Sequence, residues 1–340
     1  MYDSPVHDTN QRGGTRHGGV QAHGLGKRFG DLWALRDLDL DVAPGTVLGL
    51  LGHNGAGKTT AIRILTTLTS PTTGTASVAG LDVTDEAAAV RSRIGVAAQQ
   101  ATVDDLLTGR GNLEMVGRLK HLSKRDARRT ADELLERLDL TDASTRLVKT
   151  FSGGMRRRLD LAASLVGTPE VLFLDEPTTG LDPRSRNDLW AMLRDLVRDG
   201  TTVILTTQYL DEADRLADDI LVLDHGRTVA RGTPAELKAR IGDNRLDVTV
   251  ARHGDLVAAA GALAAFVSYE PTLDSDALVV SAPLAQGTRV VDVIRALDEA
   301  GIDAVDVNRR EASLDDVFLT LTSTEPTSAH HPATAEEALA

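Results

Sequence analysis

The chain has 340 residues, 41% of them hydrophobic and 26% charged, the composition of a globular protein with room for one large domain or two ordinary ones. Its 37 basic and 50 acidic side chains give a formal net charge of −13, which argues against a broad electrostatic footprint for duplex nucleic acid. There is no cysteine, so disulfide frameworks, thiolate zinc sites and cysteine nucleophiles are excluded, and a reducing, intracellular setting is expected.

In chain order, residues 1–19 (MYDSPVHDTNQRGGTRHGG) lack the apolar stretch of a signal peptide and read as a disordered arm. From 20 to about 241 the pattern alternates strand and helix, the mark of a parallel sheet with crossover helices. Within it, VLGLLGHNGAGKTT sets the pattern G-x-x-x-x-G-K-[ST], Gly52 to Thr59, between an apolar strand and the helix TAIRILTTL. Gly52, Gly55 and Gly57 let the backbone wrap closely around phosphates, with His53, Asn54, Ala56 and Thr60 completing the run whose amide hydrogens and helix start attract the anion. Lys58 reaches the β- and γ-phosphates, and Thr59 is placed to ligate Mg²⁺. A nucleoside triphosphate is the expected ligand.

Farther on, TFSGGMRRRLDLAASLV opens an amphipathic helix at Ser152, Gly153 and Gly154. A serine cap explains Ser152. Two glycines just inside a helix start cost too much for capping alone, and they expose a second set of bare amide hydrogens for phosphate. Two phosphate sites on one chain suggest two chains facing each other. EVLFLDEP then gives an apolar strand ending in Asp175, expected beside Mg²⁺, and Glu176, expected to polarise the attacking water. Adjacent side chains point opposite ways from a strand, so both can serve only if the strand ends there, and Pro177 is the expected terminator. TTVILTTQYLDEAD places an amide, Gln208, where a strand gives out, the position at which α/β sheets carry working side chains.

Beyond about Lys238 the character changes. Gly242, Asp243 and Asn244 read as turn residues, and 246–322 as a small accessory α+β domain. Its last helix, SLDDVFLTL, carries Leu314, Val317, Phe318 and Leu321 on one face, with Ser313 and Asp316 spaced as a capping box. The longest apolar run, Leu256 to Val267, falls short of the roughly 20 residues that a membrane span needs. Residues 323–340 read as a disordered tail, and its His330–His331 pair lacks the further ligands of a coordination sphere.

Taken in this order, the motifs resemble the nucleotide-binding subunit of an ATP-binding-cassette (ABC) transporter, over roughly Val20 to Lys238. The resemblance implies an α/β fold of the P-loop NTPase type, an ABC cassette with a mixed-sheet core and an inserted helical subdomain at about 100–165. It implies an ATPase that uses ATP and Mg²⁺, a head-to-tail homodimer of cassettes, and a separately encoded integral-membrane permease on whose cytoplasmic face the subunit sits. By position in the motifs, Phe29 in KRFGD corresponds to the aromatic that stacks on adenine, with a core phenylalanine as the competing reading, and Gln99 to the glutamine that contacts Mg²⁺, with Gln100 beside it as an alternative. Asp182 in TGLDP corresponds to the residue that meets the opposing subunit, and Ser152 to Gly154 to the signature that closes the partner's ATP site. Gln208 is a departure: the family usually carries a histidine there, against the γ-phosphate. TTQYLDEADRLAD and SLDDVFLTLT are similar to the daunorubicin-resistance-type drug export branch, where this glutamine is familiar, so Gln208 is expected to be catalytic together with Glu176 and Lys58. His225, in DHGR, is a poor substitute because it falls in the expected turn of a hairpin. The alternative is a soluble ABC ATPase acting as a switch in translation or DNA repair.

Overall fold

The computed structural model describes residues 19–98, 102–240, 244–268, 270–285 and 287–322, with side chains as far as Phe318. The chain opens with β1 (Val20–Phe29) and β2 (Leu32–Val42), then β3 (Val47–Leu51), α1 (Lys58–Leu65), β4 (Thr73–Val78), β5 (Leu81–Asp82), α2 (Ala87–Arg93) and β6 (Ile94–Ala97). A helical stretch follows, with α3 (Gly109–Leu119), α4 (Lys124–Arg137) and α5 (Gly153–Leu165). The alternation resumes in β7 (Val171–Asp175), α6 (Pro183–Arg198), β8 (Thr202–Thr207), α7 (Leu210–Leu216), β9 (Asp219–Asp224), β10 (Arg227–Gly232) and α8 (Pro234–Arg240). The last part comprises β11 (Asn244–Val250), α9 (Leu256–Leu263), β12 (Thr272–Asp274), β13 (Val279–Pro283), α10 (Val290–Glu299), β14 (Ala304–Glu311) and α11 (Leu314–Thr322).

The central sheet runs β10-β9-β3-β8-β7-β6, parallel except for the β9–β10 hairpin. Its inner strands β3, β7 and β8 are buried on both faces, which is why they read as unbroken apolar runs. Side chains alternate between two cores by the strand period of two. Leu48, Leu50, Phe173 and Ile204 face the antiparallel sheet β2-β1-β4-β5 and α1. Val47, Leu172, Leu174, Val203 and Leu205 face the helices α4, α5 and α6. That antiparallel sheet is the element the strand-helix alternation does not announce, because its pairs join residues far apart in sequence, Val20 to Val42 and to Val78.

A third sheet, β12-β13-β11-β14, carries α9 and α10 over its own core of Leu246, Val248, Leu263, Val280, Val293 and Leu297. Asn244, expected in a turn, is the first residue of β11; Gly242 and Asp243 lie outside the described residues. The final helix leaves this sheet. Leu314 and Val317 are buried with Ala213, Ile220 and Leu237, so α11 packs against α7, α8 and the flank of the central sheet. Its cap has the expected form: Asp316 N–H donates to Ser313 Oγ at 3.2 Å and Ser313 N–H to Asp316 Oδ2 at 2.8 Å. Leu321's side chain lies outside the described residues.

An ion-pair network ties α11 to the third sheet. Arg310 of β14 donates to Asp316 at 2.6 and 3.0 Å and to Asp247 of β11 at 2.6 Å, while Arg245 lies 3.0 Å from Asp316, with both of those side chains almost fully buried. Burial alone would raise the Asp316 carboxyl, but the bonds from Arg310 and Ser313 and the Arg245 charge outweigh it and bring it down to about 2 from 3.8. A depressed carboxyl binds fewer protons folded than unfolded, so its contribution is present above pH 3.8 and fades as pH falls toward about 2. Asp316→Asn removes the counter-charge of buried Arg245 and of half-buried Arg310 and is expected to cost about 3–5 kcal/mol at neutral pH. Urea unfolding at neutral pH and near pH 3 checks both points: the gap between wild type and variant should shrink on acidification.

Candidate active site

The parallel register brings three strand ends to one edge of the central sheet. Leu51 pairs with Thr207, and Asp175 with Thr206, so Gly52, Glu176 and Gln208 leave β3, β7 and β8 side by side. A cleft of about 440 Å³ opens there, lined by Ala34, the run 54–60 and Glu176.

The loop after β3 is shaped by what its glycines permit. At Gly52 (φ +153°) a Cβ would sit 2.3 Å from Leu223 O, and at Gly57 (φ +108°) 2.7 Å from Ala34 O. Lys58 Nζ donates to the carbonyls of Gly52 (2.6 Å) and His53 (3.1 Å), which holds the ammonium over the loop. Burial lowers its pKa from 10.5, against the opposing pull of Glu176 and Asp175. Asn54 to Thr60 line the cleft, and His53 contributes its carbonyl to Lys58.

Asp175 is the last residue of β7; its carboxylate accepts from Thr206 Oγ1 at 2.5 Å and from Thr59 Oγ1 at 3.4 Å. The strand is terminated by Glu176 itself, ahead of Pro177. Glu176 adopts a left-handed conformation (φ +47°), with its N–H on Thr206 O at 3.1 Å and on Thr206 Oγ1 at 3.0 Å. With that reversal Glu176 lines the cleft while the Asp175 carboxylate beside it reaches Thr59.

Ser152 caps α5, its hydroxyl accepting from Met155 N–H at 3.2 Å, while Gly153 stands open and Gly154 lies against Ser185. Asp182 caps α6; bonds from Ser185 and Arg184 hold its carboxyl below the usual range. None of Ser152, Gly153, Gly154 and Asp182 lines the cleft of their own chain. Phe29 ends β1 with 51% of its surface exposed and Lys27 Nζ 5.2 Å from its ring centre, so it is no core residue. Gln99 and Gln100 lie outside the described residues. Gln208 is exposed, and among the described residues its side chain makes no hydrogen bond; the turn after β8 is held by Thr207, whose hydroxyl accepts from Tyr209 N–H at 2.9 Å. His225 lies in the two-residue β9–β10 turn, as expected.

Two residues at the heart of this arrangement went unnoticed in the sequence. Thr206 holds both Asp175 and the Glu176 backbone. Arg157 is buried in α5 and donates to the carbonyls of Pro177 (2.8 Å), Asp175 (3.2 Å) and Ala98 (2.6 Å) and to Asp160 at 3.3 Å. Burial lowers its pKa, against the pull of Asp160 and Asp175. Helical spacing carried a signal: Arg157, Asp160, Leu161 and Ser164 share the buried side of α5.

A family profile described as "ABC transporter" matches residues 35–179. The daunorubicin resistance ATP-binding protein DrrA3 of Streptomyces coeruleorubidus is 55% identical over 304 residues, 89% of this chain and 95% of the relative. The daunorubicin/doxorubicin resistance ATP-binding protein DrrA of Streptomyces peucetius is 49% identical over 89% of this chain and 92% of its own. Among solved structures, the dimeric ATP-binding cassette MJ0796 in a post-hydrolysis state with ADP and phosphate superposes with a TM-score of 0.58 at 26% identity, covering 63% of this chain and 98% of that one. The loop, the paired carboxylates and these relatives together place the chain in the ABC-transporter ATP-binding family, as an ATPase of the daunorubicin-resistance branch.

Proposed function

We propose that this ATPase works as a head-to-tail homodimer docked on the cytoplasmic face of a separately encoded membrane permease and drives export of a hydrophobic, antibiotic-like compound. One observation supports the pairing above others: the phosphate loop and Glu176 share a cleft that the signature residues Ser152 to Gly154 of the same chain do not reach. A second chain supplies them. Among the described residues no helix is long and apolar enough to cross a membrane, which suits a partner that does. Export of a drug-like compound rests on the relatives' names, and the relatives do not favour a soluble switch in translation or DNA repair.

In this reading the amides of 54–60 and Lys58 hold the ATP phosphates, Phe29 stacks on the adenine, and Glu176 takes the proton of a water attacking in line with the departing ADP. Asp182 meets the opposing chain, and the 246–322 unit is an accessory domain. The hydroxyl of Thr59 beside the Asp175 carboxylate is a pair of hard oxygen donors that fits Mg²⁺, with Gln99 as a third ligand by position in the motif. Bound there, the ion would neutralise phosphate charge. Membrane vesicles containing the chain and its permease should accumulate daunorubicin only with ATP. Failure of the chain to co-purify with any membrane protein, together with no ATP-dependent uptake, would overturn the transport reading.

Gln208 is the γ-phosphate ligand in this proposal, since it follows β8 beside Gly52 and its amide makes no bond of its own to the turn. Gln208→Ala should slow single-turnover hydrolysis on the order of tenfold or more, the scale of losing one donor to developing charge. Gln208→His should stay active but gain a pH limb near roughly 6.5, where imidazole titrates and an amide does not. A folded alanine variant with the wild-type rate would reduce Gln208 to a turn residue.

A further inference from the structure

We propose that His53, Asp224 and His225 form a binding site for a divalent transition metal of the zinc class, set between the phosphate loop and the β9–β10 turn. The three side chains come from two segments that the motifs above do not connect. His53 Nε2 lies 2.5 Å from Asp224 Oδ1, His225 Nε2 lies 3.8 Å from the same oxygen, and the three ligand atoms fall within 4.8 Å of one another. The two rings stand edge to face with centres 5.2 Å apart. Tetrahedral zinc with bonds of about 2.0–2.1 Å needs neighbouring ligand atoms roughly 3.3 Å apart. Small movements reach that spacing: His53 and Asp224 part by under about 1 Å, and the 81% exposed His225 side chain swings in.

The protonation pattern points the same way. His53 Nδ1 lies 2.7 Å from Asn54 O, a carbonyl that can only accept, so Nδ1 carries a hydrogen. Nε2 faces the Asp224 carboxylate at 2.5 Å, a separation that only a hydrogen fits, and a metal ion would take that hydrogen's place as the two groups move apart. A ring N–H anchored on a backbone carbonyl, with the other nitrogen turned to the ion, is also how metal-binding histidines are oriented.

The backbone has brought the two segments together already. Gly226 N–H donates to Ala56 O at 3.0 Å, and the contact of Gly52 with Leu223 O leaves no space for a side chain. His225 occupies a left-handed conformation (φ +44°) at the first central position of a two-residue hairpin turn, where glycine, asparagine or aspartate is the usual choice. A histidine held there aims an imidazole at Asp224. Two imidazoles and one carboxylate suit zinc, cobalt, nickel or copper and leave a coordination position for water. Metal at this site would staple the phosphate loop to the turn.

The test uses the full, tag-free chain without nucleotide, titrated with Zn²⁺ in a calorimeter and with Co²⁺ by visible absorption. One ion per chain is expected, with intense ligand-field bands from cobalt. His225→Asn keeps a residue that tolerates the left-handed turn but removes the imidazole; it and Asp224→Asn should each weaken binding by about tenfold or more. Zn²⁺ should raise the wild-type melting temperature, and at the same Zn²⁺ concentration raise that of His225→Asn clearly less. The tail pair is the rival source of imidazole, so the double variant His330→Ala, His331→Ala should bind as wild type does. No stoichiometric binding, binding that His225→Asn leaves intact, or binding lost with the tail pair would each overturn the site and leave a simple His53–Asp224 ion pair. The ATPase reading stands in any of these cases, because the metal is measured without turnover.

Discussion

Glu176→Gln is expected to bind ATP as the wild type does and to hydrolyse it about 10²–10⁴-fold more slowly, the range in which a positioned base contributes. The side chain lines the cleft from a left-handed backbone that Thr206 holds through two acceptors, and neither feature depends on the carboxylate charge. Glutamine keeps the length and hydrogen-bonding reach but cannot take the proton of water. Lys58 and the loop amides are untouched, so nucleotide affinity should hold. Because the signature residues of one chain lie outside its own cleft, a complex that cannot discharge ATP should persist as a two-chain assembly. Size-exclusion chromatography with ATP and Mg²⁺ should then show a dimer that the wild type forms only transiently, alongside phosphate-release kinetics. Near wild-type turnover would remove Glu176 from the base role.

Most of this site was legible because its parts are contiguous in sequence. The run from Gly52 to Thr60 needs glycines at fixed steps for backbone reasons, and the strand ending in Asp175 and Glu176 announces itself by four apolar residues before two acids. Where groups meet across the fold, the pattern was silent. For Arg157 the helical spacing gave only a hint of burial, and nothing in the sequence said that its guanidinium would meet carbonyls from two other segments. Glu212 lies in an acidic helix start, yet it is buried against Trp190 Nε1 at 3.2 Å, and burial raises its carboxyl above the usual range. The antiparallel sheet and the return of α11 to the central sheet depend on pairings over long sequence separations, to which periodicity is blind. At Gln208 the sequence posed the right question, and the structure supplies a local fact: Thr207 holds the turn, and Gln208 follows β8 beside Gly52 with its amide unbonded among the described residues.

Arg157→Lys is expected to lose both stability and turnover while keeping ATP affinity. The guanidinium is a planar fork that meets three carbonyls and Asp160 at once, tying the start of the signature helix to the end of β7 and to Ala98. A lysine ammonium is a single point of charge that cannot span them. Carbonyls left without donors in a buried place should cost about 1–3 kcal/mol. Arg157→Met also strips Asp160 of its cation and should cost about 3–5 kcal/mol, although Thr102 still donates to that carboxylate from its N–H and hydroxyl, both at 2.8 Å. The carbonyls of Asp175 and Pro177 flank Glu176, so releasing them shifts the proposed base; a displacement on the order of 1 Å can lower the rate by roughly 10–100-fold. Residues 54–60 make no contact with Arg157 among its hydrogen bonds, which is why nucleotide binding should survive. Urea unfolding at neutral pH, nucleotide titration and single-turnover hydrolysis on the folded lysine variant separate the three effects. Wild-type stability and turnover in Arg157→Lys would mean that the guanidinium only fills space, and that Thr206 alone positions Glu176.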